Sequence, residues 1–170
     1  ETGLAGKIKV VGHDLVDETM EYVVNGVITA TLGQDPFAQG HDTVIHLFNH
    51  LAAGWRPATP RLLTSMDVVT QDNYRQFWQP GKGIIESKAT QERRAKPIRP
   101  ASRPLRIAVV GREECDFWYP VRDGVQAAAQ TLREYNASVD WLIPEPDKAP
   151  NIDIRGPYLA KLVEQGYDAI

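Results

Sequence analysis

Asp14 and Gln34 are the residues best placed to do chemistry in this sequence. Each is a hydrogen-bonding side chain just past the end of an apolar run, and they stand twenty positions apart with a helix-like segment between them. In a parallel α/β sheet, residues beyond the carboxyl ends of strands line the crevice where ligands bind. A carboxylate accepts from two hydroxyls, and an amide both donates and accepts. The pair therefore suits a small polyhydroxylated molecule better than it suits catalysis. Two plainer readings stay open on the sequence: Asp14 as a turn cap before the next helix, and Gln34 as a loop amide bonded to backbone.

Other polar groups carry less. His46 and His50 are four apart, a spacing that can hold a metal on a helix. They lie opposite the apolar stripe with no third ligand in sight, so a solvated helix face is expected. His41 falls inside the stripe and reads as a partly buried histidine, while His13 has no assigned role. Nothing in the sequence raises one carboxyl of Asp14 and Glu18 above the other, and no nucleophile motif accompanies them. Gly81-Lys82-Gly83 lacks the preceding strand and the spacing of a phosphate loop. We expect a non-catalytic chain without cofactor or metal. Cys115 is the single cysteine, which excludes an internal disulfide framework and a cysteine-built zinc site.

The elements that must position these residues follow from periodicity and breakers. Residues 7–11 are a β-branched run that reads as a buried strand. Asp17 is expected to cap a helix through Met20, Tyr22 and Val23, stopped by Asn25-Gly26. Residues 27–32 make the next strand. Asp35-Pro36 then opens a helix to about Ala53, with Asp as cap and Pro at the first helical position, where its missing N–H costs nothing. Phe37, His41, Val44, Ile45, Phe48, Leu51 and Ala52 share one face of it. Residues 62–69 read as a strand, and Thr70 as the cap of a short helix over 71–78. Residues 105–110, 139–143 and 167 onward read as strands, with helices over 120–135 and 157–165 between them. Val121, Val125, Ala128, Ala129 and Leu132 form the inner face of the first. Strands alternating with helices imply an α/β class with parallel sheets.

The charge is uneven. The 170 residues sum to −3, yet residues 79–104 hold seven basic side chains against Glu86 and Glu92, a local +5 that leaves −8 elsewhere. That stretch is rich in Pro, shows no sustained periodicity, and reads as a solvated linker. No apolar run approaches the length of a membrane span.

Beyond these features, GKIKVVGHDL and NGVITATLGQDPFAQG resemble the late part of type I periplasmic sugar-binding proteins, the ribose-binding-like group that also supplies the effector domain of LacI-type repressors. SMDVVTQDNYRQFW is similar to that family's C-terminal end, and LRIAVVGREECDFWYPVRDGVQAAAQTL resembles its beginning. The resemblance covers about 140 of the 170 residues. Family ending precedes family beginning, which implies the junction of a tandem pair. Residues 1–78 would be the C-terminal part of an upstream sugar-binding-like domain, 79–104 a basic Pro-rich linker, and 105–170 the N-terminal part of a second.

The resemblance implies the Rossmann-like parallel sheets of the two-lobed periplasmic-binding-protein type I fold, present as partial domains. It places Asp14 and Gln34 at positions that bind sugar hydroxyls, and Phe117 and Trp118 at the aromatic pair that packs on the sugar ring. Cys115 and Asp116 stand where the family often has Asn and Pro, so the second site departs from the pattern. The implied activity is a solute-binding or sensor module closing two lobes on a monosaccharide-like ligand. Its partner would be an ABC transporter permease. The alternative is the effector region of a LacI-like regulator whose DNA-binding module lies outside this chain. The compartment follows the choice: periplasmic or extracellular for transport, cytoplasmic for regulation. Two half-sites are expected, hence no tight sugar binding by the chain alone. The strand at 62–69, lacking its own lobe, is expected to seek the downstream sheet or a second copy in a homodimer.

Overall fold

A computed structural model describes residues 3, 7–86, 88–112, 115–144 and 152–170. Within the resembling segment at 105–170, positions 113–114 and 145–151 thus lie outside the described residues. The chain is mixed α/β. In order it forms β1 (Val11–His13), α1 (Asp17–Val24), β2 (Ala30–Gly33), α2 (Pro36–Ala53), β3 (Asp67–Val69), a 3-10 turn (Tyr74–Gln76), β4 (Trp78–Gln79) and β5 (Gly83–Ile84). There follow α3 (Lys88–Arg93), β6 (Leu105–Val110), α4 (Trp118–Arg133), β7 (Ala137–Leu142) and α5 (Ile152–Glu164). Among the described residues no helix is long and apolar enough to cross a membrane. Two compact units share these elements: Glu1–Asp35 with Leu63–Arg93, and Pro36–Leu62 with Arg94–Ile170.

In the first unit β1 and β2 run parallel with Gly12 opposite Thr31, and β3 joins β2 antiparallel with Val69 opposite Thr31. Thr31 and Val69 share a face with a core built around Met20 and Trp78. The opposite face is bare, with Val11 66% and Val68 57% exposed. The expected buried strand over 7–11 is therefore displaced: pairing starts only at Val11, and Ile8 and Val10 are exposed. Likewise the strand expected over 62–69 shrinks to Asp67–Val69, because Leu62, Leu63 and Met66 find no cover. It pairs with β2 of its own unit, not with the downstream sheet.

Helix α1 ends as expected, with Asn25 at its C-cap and Gly26 at φ +71. Asp17 is not its cap. Val16 occupies that place without a side-chain bond, and Asp17 sits in the first turn, where a carboxylate complements the positive end of the helix. Its Oδ1 accepts the indole N–H of Trp78 at 2.6 Å. That bond helps explain why the helix expected over 71–78 does not form. Trp78 is drawn into the core at the start of β4, and the turn through Pro80-Gly81, with Gly81 at φ +73 and Gly83 at φ +74, reverses the chain into β5. Asn73, not Thr70, organises the preceding turn: its Oδ1 accepts the Thr70 N–H at 2.8 Å.

In the second unit β6 and β7 pair in parallel from Leu105 opposite Ala137 to Val110 opposite Leu142, and Ala169 bridges Ile107 on the other edge. The expected strand at 167 onward is thus begun, with the Asp168 N–H donating to the Arg106 carbonyl at 2.8 Å. Helix α4 starts at Trp118 rather than 120, since Pro120 is tolerated in a first turn whose N–H groups have no intrahelical acceptor. Helix α5 starts at Ile152 and contains Pro157.

Helix α2 follows β2 in sequence but belongs to the second unit. Val44, Ile45 and Phe48 on its apolar face enter one core with Leu105, Ile107, Val125, Ala128 and Leu132. Each of these side chains larger than alanine contributes roughly 1.5–3 kcal/mol of burial. The crossing of α2 and α4 is reciprocal. A methyl added at Gly40 would fall on the Val121 carbonyl, and one at Gly124 on the Phe37 carbonyl. The two helices share a Pro-x3-Gly start, Pro36/Gly40 and Pro120/Gly124.

The stretch 79–104, read as a solvated linker, carries β5, α3 and a strap over 94–99 bound along α2. Asn49, only 4% exposed, donates to the Lys96 carbonyl at 3.0 Å and accepts the Ile98 N–H at 2.9 Å. Asp42 Oδ1 accepts the Ala95 N–H at 3.1 Å, and Arg99 Nε donates to the Ala52 carbonyl at 3.0 Å near the end of α2. Several of the basic side chains have partners, although Lys88 and Arg103 stay largely exposed. Arg94 lies over the Phe37 ring and 3.9 Å from Asp42, Arg103 pairs with Asp168 at 2.6 Å, and Lys88 reaches Glu92 at 4.0 Å.

Candidate functional site

Asp14 directly follows β1, and Gln34 follows β2. Because those strands are parallel, both residues emerge at the same end of the sheet. Asp14 has φ 70, a left-handed conformation that costs a non-glycine residue of order 1–2 kcal/mol. Two backbone-linked bonds hold it there. Its N–H donates to the Leu32 carbonyl at 2.8 Å, its carbonyl accepts the Thr31 hydroxyl at 2.8 Å, and Thr31 is itself fully buried. The strand tip is thereby bent so that the two side chains meet: Gln34 Nε2 donates to Asp14 Oδ1 at 2.6 Å. The Gln34 carbonyl in turn accepts from the Thr64 hydroxyl at 3.1 Å.

His13 adds a group that the sequence reading left unassigned. Its Nδ1 lies 3.1 Å from the same Asp14 Oδ1, with His13 54% and Asp14 29% exposed. Successive strand residues normally point to opposite faces. The left-handed turn at Asp14 breaks that alternation, and no sequence rule for this position announced it. Both described bonds to the carboxylate fall on Oδ1. Among the described residues Oδ2 carries none, and the carboxylate is 29% exposed.

Phe117 and Trp118 lie in the second unit, in the turn that opens α4. The Cys115 carbonyl accepts the N–H groups of Trp118 at 2.8 Å and Tyr119 at 3.0 Å, which fixes the start of the helix. The two rings meet edge to face at 5.4 Å. Trp118 also lies 6.4 Å from Trp141, tilted by 47°. Trp141 sits on β7 against Gly111, the residue after β6, where a methyl would overlap its ring. Asp116 is exposed and Cys115 half-buried.

The histidines of α2 take structural places. His46 and His50, expected on a solvated face, both engage Trp55: His46 stacks on its ring at 4.6 Å, and His50 Nδ1 lies 3.0 Å from its carbonyl. Burial holds the His46 imidazole below its ordinary 6.5, against the opposing pull of Asp42. His41, partly buried as expected, bonds Asp42 at 2.7 Å. Burial alone would raise the Asp42 pKa. The His41 and Ala95 hydrogen bonds and the nearby positive charges of His41 and Arg94 outweigh it and hold the carboxyl low. Among the described residues no group of three or more His, Cys, Asp or Glu is arranged to hold a metal.

Compared with known proteins, the chain matches no family model and no curated protein.

Proposed function

We propose that the chain is a non-catalytic binding module for monosaccharide-like small molecules, with a polar half-site at Asp14 and Gln34 in the first unit and a separate aromatic half-site at Phe117 and Trp118 in the second. The observation that carries the reading is the 2.6 Å bond between the Gln34 amide and Asp14 Oδ1 at neighbouring tips of two parallel strands. That bond orients both groups before any ligand arrives, so the entropy of ordering them is not charged to binding. Backbone strain at Asp14 supports it further, since strained non-glycine residues cluster at ligand sites. The α/β character, the resemblance and the crossover helices support the finer expectation of type I periplasmic-binding-protein lobes. Each unit presents one contact set of its own, so weak, millimolar-range sugar affinity is expected.

The test titrates the isotope-labelled chain with D-ribose, D-galactose and D-glucose and follows the Asp14 and Gln34 amides by NMR. Asp14→Asn is the informative variant, because Asn tolerates the left-handed region while replacing the anionic carboxylate with a neutral amide that keeps one acceptor oxygen and gains an NH2 donor. Saturable shifts in the native chain that disappear in Asp14→Asn support the reading. Silence with all three sugars, in a folded chain, sinks it.

A further inference from the structure

Trp141 holds the one feature of the aromatic cluster that its own packing does not use. Its indole Nε1 is buried and, among the described residues, has no hydrogen-bond partner. Trp78, by contrast, donates its indole N–H to Asp17. A buried donor left unmade costs about 1–3 kcal/mol, and native structures keep such a group only for a reason. Two further observations place it in a recognisable setting. Trp141 stands at the carboxyl end of a parallel strand pair, where α/β sheets take ligands, and Gly111 leaves the space its ring fills.

We infer that Trp141 is a specificity-determining residue of the aromatic half-site, its Nε1–H reading an oxygen on the polar edge of a saturated sugar ring that packs on Trp118. This rests on the sugar-binding reading above. The ring geometry selects the ligand class. Trp118 and Trp141 are 6.4 Å apart and tilted by 47°, and Phe117 stands at 87° to Trp118. A planar base sandwiched between two rings needs them parallel, which no pair here provides. A puckered sugar needs one apolar face and an edge acceptor, and a tilted aromatic corner offers both. Nε1 is buried, so admission of the acceptor requires a side-chain shift in the cluster.

The experiment uses the whole chain with its four tryptophans, whose indole N–H signals are assigned by single Trp→Phe variants. Titration with D-ribose, D-galactose and D-glucose is expected to move the Trp141 indole signal downfield for at least one sugar. In Trp141→Phe, which keeps an aromatic ring but no donor, the affinity read from the Trp118 indole is expected to fall about tenfold. An unmoved Trp141 signal alongside responding Asp14 and Gln34 amides overturns this inference and leaves the sugar-binding reading standing. Silence at both places overturns both. A response to adenosine with none to any sugar overturns the assignment in favour of a planar-base reader.

Discussion

At position 49, a buried amide makes two of the bonds that hold the strap over 94–99 on α2. Asn49 answers one donor and one acceptor of that segment while almost fully buried. Asn49→Ala is expected to cost about 2–4 kcal/mol, because it strands two backbone groups as well as losing the bonds. Urea unfolding followed by tryptophan fluorescence checks this, and a loss near zero would show that the strap is held elsewhere. Position 46 makes the protein acid-sensitive in a stated window. His46 has a lowered pKa, so between that value and 6.5 the unfolded chain binds the extra proton, and stability falls as pH falls through this range. Asp42, also lowered, adds a second loss of the same sign below 3.8. Denaturation midpoints measured against pH should flatten in the upper window for His46→Phe and keep the lower one.

Helices α2 and α4 show how closely an element can depend on a missing side chain. Gly40 and Gly124 each face a carbonyl of the other helix, so their backbones approach as no larger residue permits. Gly40→Ala or Gly124→Ala should separate the helices and destabilise by about 1–3 kcal/mol or more, despite alanine's better helix propensity. Gly156 in α5 is the control: among the described residues nothing lies within reach of an added methyl, and Gly156→Ala should be neutral or stabilising by up to about 1 kcal/mol. Thermal melts of the three variants compare them directly. Helix α2 was legible because its stripe, Pro36 start and Gly54 stop agree with one another, and the structure returns residues 36–53. Strands were less so. The β-branched run ending at Val11 reads as buried, but burial needs a covering layer, and that face of the sheet has none.

For the molecule as a whole, the basic run matters less than its charge suggests. Arg94, Arg99 and Arg103 are bound to Asp42, the Ala52 carbonyl and Asp168. The net charge is −3. Counterion release from nucleic acid needs cations free to meet phosphates. Fluorescence anisotropy with duplex DNA near physiological salt is therefore expected to show no binding by this chain. Measurable affinity with a steep salt dependence would show that the cations exchange their internal partners for phosphate.

Local signals were enough to read the α/β class, the strand at 105–110, the apolar faces of α2 and α4, and the placement of Asp14 and Gln34 just past two strand ends. Periodicity, breakers and polar residues at strand ends are written in neighbouring positions. Which pieces pack together was not. Helix α2 joins β6 and α4 across some seventy residues of sequence, Trp78 reaches back to Asp17, and Asn49 pins Lys96 and Ile98. So do the left-handed turn that brings His13 and Gln34 to one carboxylate oxygen, and the unused indole of Trp141. Such long-range pairings are settled by shape complementarity and by the need to satisfy buried polar groups, and neither has a period for a sequence to display.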